Sequence, residues 1–272
     1  MSDEPTAALP RVIDFHTHVF RDDVAERAIG GMSDAVRSRP HFDGTVRGLL
    51  AVMDRAGVSL SVLAPVATAA RQVESINAWT ASKISDRLVA FGAMHPDFRD
   101  PEREIARMAS LGIKGIKFHT EFQSFHPHDD RLLPIYRAAE EQGMIVLFHA
   151  GNDPQYDTAA GSPRVFRELA LEYPGLTLVL AHMGGYQMWD EVAAELLGRP
   201  VYLDTSQATE NLPLAEVAAL IRAHGTDRVV FGSDGPWADT AVALAAIRQL
   251  GLSAQELEQV LWGNAARLLR LG

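Results

Sequence analysis

Eight short runs of apolar and β-branched residues, each followed by a longer amphipathic segment, limit most tightly how this chain can fold. The runs are VIDFHTHV (12–19), VSLSVLAPV (58–66), LVAFGAMHP (88–96), IKGIKFH (113–119), MIVLFHAG (144–151), LTLVLAHMGG (176–185), VYLDTS (201–206) and RVVFGSDGPW (228–237). Between them, segments such as DPEREIARMASLG and LPLAEVAALIRAHG carry the helical period. Runs that are apolar throughout belong to strands buried on both faces, which is the habit of parallel sheet. Eight such units in 272 residues predict an α/β fold of one domain, a closed (β/α)8 TIM-type barrel, for which about 250 residues is typical. Residues 1–11 are expected to form a flexible N-terminal tail and 12–272 the barrel, with SAQELEQVLWGNAARLLRL as a closing helix or pair.

Composition removes several classes of function. The net charge is −10 and the 25 Lys and Arg residues are scattered singly, so no basic stripe is offered to nucleic acid or anionic lipid. No run approaches the ~20 apolar residues that span a bilayer, and the start MSDEPTAALP lacks the apolar stretch of a secretion signal. The expectation is a cytoplasmic protein with a small-molecule substrate, no nucleic-acid or membrane partner, and an oligomeric state, homo-oligomer included, left open. The absence of cysteine excludes both disulfides and thiolate metal ligands.

The histidines carry the next step. Of ten, His16, His18, His95, His119, His149 and His182 fall at or near the C-terminal ends of predicted strands, the face where barrel enzymes hold their chemistry. Strict alternation places His16 and His18 on one face with Asp14 and turns Ile13, Phe15 and Thr17 toward the helices. It likewise groups Lys117 with His119, His149 with Leu147, His182 with Leu180, and Asp234 with Gly232 and Val230. Burying an unpartnered polar group costs about 1–3 kcal/mol. A divalent metal held by neutral imidazoles and a carboxylate would offset that cost. Zinc is the first choice, with manganese, iron, cobalt and nickel using similar ligand sets.

The motifs VIDFHTHVF, LFHAG, LAHMGG, FGSDGPW and GNAARLL, in this order over nearly the whole chain, resemble those of the amidohydrolase superfamily. The most similar branch is the amidohydrolase-2 group, which includes enzymes of the aminocarboxymuconate-semialdehyde decarboxylase type. That resemblance implies a distorted barrel with one metal bound by His16, His18, His149 and Asp234, with His182 as acid/base and Asp234 as a second proton acceptor. Lys117 reads in three ways: carboxylated and bridging a second metal, with His182 as its further ligand; a plain ammonium orienting the substrate, with His119, Glu121 and Gln123 as pocket neighbours; or a barrel lysine paired with Glu121 or Asp14. Trp189 and Trp237 are candidate pocket walls, and Arg21, Arg71 and Arg164 candidate anchors for a substrate carboxylate. His126 and His128 read as exposed loop residues, His41 as a loop residue without a visible partner, and His224 as a favourable helix C-terminus.

Three functions fit these residues. The leading expectation is a metal-dependent hydrolase of an amide, lactone or related ester bond. The alternative is a non-oxidative decarboxylase of an aromatic or unsaturated acid, which the same ligand set would serve. A metal-binding barrel without catalysis comes third, and the presence of both His182 and Asp234 argues against it.

Overall fold

The computed structural model describes residues 11–36, 39–156 and 159–271, so the expected tail, except Arg11, lies outside the described residues. The strands are β1 (Ile13–Thr17), β2 (Leu60–Leu63), β3 (Leu88–Ala90), β4 (Gly92–Ala93), β5 (Gly115–Phe118), β6 (Ile145–Phe148), β7 (Thr177–Leu180), β8 (Tyr202–Asp204) and β9 (Val229–Val230). Every pairing between them is parallel. β3 and β4 flank Phe91 and act as one interrupted strand, so the cylinder has eight staves at the eight expected places. Past the end of β9 the cylinder closes on β1, where Phe15 N–H donates to Phe231 O at 2.8 Å, Asp234 N–H to His16 O at 2.8 Å and His18 N–H to Gly235 O at 2.7 Å.

The helices that alternate with the staves carry sequence-encoded stops. α2 (Val46–Ala56) starts at Thr45, whose side chain accepts from Gly48 N–H, and ends at Gly57, where φ is 74°. The closing segment is indeed a pair, α11 (Ala254–Glu258) and α12 (Asn264–Leu269), joined by a π turn over Gln259–Gly263. Asn264 explains part of the GNAARLL motif, since its Nδ2 donates to Thr226 O and Val229 O at the foot of β9. Among the described residues no helix is long and apolar enough to cross a membrane.

Two apolar clusters follow from the parallel sheet. Ile116, Phe118, Val146, Phe148, Leu178 and Leu180 pack outward with helix residues such as Leu49 and Ile105. Ile13, Phe15, Val62, Phe91, Leu147, Val179 and Val230 form the second cluster, closed by Ala265 and Leu269 of α12. We read this cluster as the barrel interior. The expected alternation on β1 is therefore corrected, because Ile13 and Phe15 point inward rather than toward the helices. The strand's parity is thus the reverse of the predicted one, and a register shift between Asp14 and Thr17 lets His16 reach the mouth although Asp14 bonds Ser233 at the seam.

The interruption between β3 and β4 is held from outside by α3 (Val73–Ala81). Buried Asn77 on this helix accepts from Ala93 N–H at 2.7 Å and donates to Ala93 O at 3.1 Å and to Glu104 Oε1 at 2.7 Å. Asn77→Ala takes this partner from the buried N–H and C=O of Ala93, while Glu104 Oε1 keeps Arg107 Nη2. The substitution is expected to lower unfolding free energy by about 2–4 kcal/mol. A urea titration should show this as a lower midpoint with an unchanged slope, and an unmoved midpoint would contradict the assignment.

Candidate active site

The C-terminal ends of the staves open on a cavity of about 860 Å³. On its wall His16 and His18 bring their Nε2 atoms to 3.1 Å. Asp234 Oδ1 lies 3.2 Å from His18 Nε2 and 3.6 Å from His16 Nε2. Lys117 Nζ stands 3.0 Å from His16 Nε2. His149 does not join this group directly, and its Nδ1 meets His182 Nε2 at 3.0 Å instead. The turns that carry three of the mouth residues use left-handed backbone, with φ of 59° at His182, 59° at Gln207 and 66° at Asp234. Such a conformation costs a non-glycine residue on the order of 1–3 kcal/mol and recurs at functional sites.

Asp204, at the end of β8, organises the histidines from behind. His16 Nδ1–H donates to Asp204 Oδ2 at 2.9 Å, and the backbone N–H of His182 donates to Asp204 Oδ1 at 3.1 Å. Ser206 gives its hydroxyl proton to Asp204 Oδ1, so its oxygen, 2.9 Å from His182 Nδ1, accepts from that nitrogen. His149 Nε2–H donates to Asn152 O at 3.1 Å. These bonds fix tautomers. They leave lone pairs on His16 Nε2, His182 Nε2 and His149 Nδ1, the last two facing each other at 3.0 Å. Buried acceptors aimed at one another are unfavourable unless a cation lies among them, so the donor set fits a divalent metal. Among the described residues three groups of side chains could hold one: His16, His18 and Asp234; His16, His182 and Asp204; and His119, His149 and Asp153.

The electrostatics favour the same protonation states. Burial pushes the His18 and His182 imidazoles down to about 4, and His149 well below its ordinary value. Burial alone would raise Asp234, but its hydrogen bond to His18 and the nearby His16 and His182 hold it well below the usual carboxylate range. Asp204 follows the same pattern, with His16 and then His182 overcoming burial to leave it at about 2. Burial brings the Lys117 ammonium down to about 8 against the pull of Asp204 and Asp234. Gln207 Nε2 donates to Asp234 Oδ2 at 2.9 Å, which turns Oδ1 toward the histidines.

Other residues singled out in the sequence fall in varied places. His119 lines the cavity with its ring stacked between Phe122 and His149, at 3.8 and 4.0 Å, and its Nε2 is 3.2 Å from Asp153. Glu121 and Gln123, expected in the pocket, do not line it. Glu121 accepts from Thr120 Oγ1 and Ala160 N–H behind His119, while Gln123 ties loops together through Ala67 O, Met94 O and His119 N–H. Trp237 lines the cavity, whereas Trp189 donates its indole N–H to His182 O. Arg21 stands at the rim, ion-paired with Asp23; Arg164 pairs with Glu168 away from the mouth, and Arg71 does not line it. His95 sits with Asp97 outside the cavity. His128 bonds Glu172, His224 bonds Val201 O, and His41, expected to lack a partner, lies 3.7 Å from Asp239. Asp204, Ser206, Gln207 and Asp153 escaped the sequence reading. The one available signal was that the Asp of VYLDTS ends an apolar run just as the Asp of FGSDG does.

A closed parallel barrel whose stave ends gather imidazoles and carboxylates at one mouth defines a metal-dependent (β/α)8-barrel enzyme. The chain belongs to the amidohydrolase family: the amidohydrolase-2 family model matches residues 13–271. Among solved structures it is similar to 5-carboxyvanillate decarboxylase from Sphingomonas paucimobilis, at 20% identity over 96% of this chain and 99% of that one, with a TM-score of 0.74. It is also similar to a 2,6-dihydroxybenzoate decarboxylase complexed with 2,6-dihydroxybenzoate (19% identity, 97% and 100% covered, TM-score 0.72). A third is the dihydroxybenzoic acid decarboxylase from Polaromonas, with bound manganese and the inhibitor 2-nitroresorcinol (18%, 97% and 98%, 0.73). A search of curated protein sequences gives no match. All three similar enzymes are decarboxylases, which overturns the expectation that the chain hydrolyses an amide, lactone or ester. Zinc as the particular metal gains no support from them, since the metal named with the Polaromonas enzyme is manganese.

Proposed function

We propose that this protein is a metal-dependent, non-oxidative decarboxylase of an aromatic carboxylic acid. The observation that carries the reading is likeness over the whole chain to three decarboxylases of aromatic acids, and the mouth described above suits that chemistry. A single divalent ion would be held by His16, His18 and Asp234, and His149 would join as a fourth ligand by turning its Nδ1 away from His182. Bound there, it would supply a Lewis acid for the oxygens of the acid and an ortho hydroxyl. Either manganese, as in the Polaromonas enzyme, or zinc, which imidazoles suit, meets this need. Elemental analysis of the purified protein distinguishes them.

The chain's own residues have separable tasks. Lys117 places a buried cation against His16 and orients the substrate carboxylate. His119, its ring sandwiched between Phe122 and His149, makes with them a rigid aromatic stack on the cavity wall beside the substrate ring. Asp234 Oδ1 and His182 Nε2 are both unprotonated at rest, so one of them would first take up a proton from the substrate's hydroxyl or from solvent and then return it to the ring. The proton adds to the ring carbon that bears the carboxylate, and the bond to that carboxylate then breaks. Its electron pair restores the aromatic ring and CO₂ leaves, so no oxidant or reductant is needed.

The metal-loaded protein in D₂O should release CO₂ from a member of a hydroxybenzoate panel that includes 2,6-dihydroxybenzoate and 5-carboxyvanillate. One deuteron should appear at the vacated carbon, and in H₂¹⁸O no label should enter the aromatic product. A panel in which no acid releases CO₂ would sink the proposal.

A further inference from the structure

The cavity is larger than one ring requires, and its excess carries a run of apolar side chains beside polar ones such as Arg27, Gln72 and Ser75. Its about 860 Å³ lies at the upper end of the roughly 300–1,000 Å³ that enclose drug-sized ligands. The added space runs from the metal-ligand group toward α1 (Asp22–Val36) and α3. Val24 and Ala28 are four residues apart on α1, and Ile76 and Trp79 three apart on α3, so each pair shares one helix face. All four line the same cavity as His16, Lys117 and Asp234, and Phe20 and Val66 line it as well. Each of the six is half-buried, in a protein whose strand residues are almost all fully buried. Apolar side chains left partly open on two helices that line one cavity, continuous with the mouth, form a compartment that a ligand can complete.

We infer that the substrate is an aromatic acid bearing a second apolar group, an aryl ring or short alkyl chain, which occupies the compartment between α1 and α3. The acid head rests on the decarboxylase reading, but the apolar extension does not depend on turnover. Its probe is therefore a pair of compounds with no carboxylate to lose, 2-nitrophenol and 4-phenyl-2-nitrophenol. Their binding to the manganese-loaded protein is read by the change in nitrophenolate absorbance.

The phenyl derivative should bind at least about 10-fold more tightly, the effect expected from burying one additional ring. Ala28→Trp, which fills the compartment, should bring the ratio of the two affinities close to one. Trp79→Ala, which removes a wall without adding bulk, should lower it several-fold, and circular dichroism melts verify that both variants are folded. A ratio near one in the unaltered protein overturns the inference, as does a high ratio that survives both substitutions or a failure of both probes to bind. If the ratio behaves as stated while no acid in the panel releases CO₂, the compartment stands and the decarboxylase reading falls.

Discussion

The double variant His16→Ala/His18→Ala is expected to leave purification with less than about a tenth of the metal of the unaltered protein, and with turnover lost to background. Both imidazoles aim Nε2 at the same point, 3.1 Å apart, so neither neighbour can replace them. Their loss also removes the partner of Asp204 Oδ2, and a drop in stability of about 1–3 kcal/mol should accompany it. The barrel should still fold, because the apolar clusters do not involve either residue. Elemental analysis together with far-ultraviolet circular dichroism checks both halves. Full metal occupancy in a folded double variant would rule out this ligand assignment.

Asp234→Asn should cost roughly 10²–10⁴ in kcat. Asparagine keeps the volume and can still accept from Gln207 Nε2, which bonds the aspartate at 2.9 Å, so the side chain should stay in place. What it loses is the charge it lends the metal site and the ability to take up and return a proton, so the rates are compared at saturating manganese with occupancy checked by elemental analysis. An effect on the chemical step lowers kcat with little change in KM, whereas misplacement of substrate would raise KM. Steady-state rates on the active compound decide the matter, and turnover within threefold of the unaltered protein would contradict the role given to Asp234.

The staves were legible because strands buried on both faces leave unbroken apolar runs, and the histidines because polar residues at the ends of such runs are hard to explain by packing. Asp204 was not legible in the same way. A strand-end aspartate becomes informative only when the fold brings it to His16 Nδ1, 2.9 Å away and 188 residues distant in sequence. Backbone geometry hid other features. Nothing in the residue types at 182, 207 and 234 announces a left-handed turn, and the register shift in β1 defeated simple alternation on the strand where it mattered most. Glu121 and Gln123 were drawn into the pocket by nearness to Lys117 and His119, yet their side chains satisfy loop backbone groups instead. The residue types do not separate hydrolysis from decarboxylation, because the ligand residues are common to both chemistries.

The seam between the first and last staves has a consequence for biosynthesis. Asp14 and Ser233, bonded across it, are 219 residues apart, and His16 and His18 meet Asp234 at the same junction. A chain still leaving the ribosome without its last stave has neither a closed cylinder nor a complete set of donors. Pairing over so long a separation is slow compared with local contacts, which places assembly of the donor set among the late events of folding. Capture of a cation by His16, His18 and Asp234 would then report that the ring has closed, and partly made or truncated chains would be spared a reactive metal centre open to solvent.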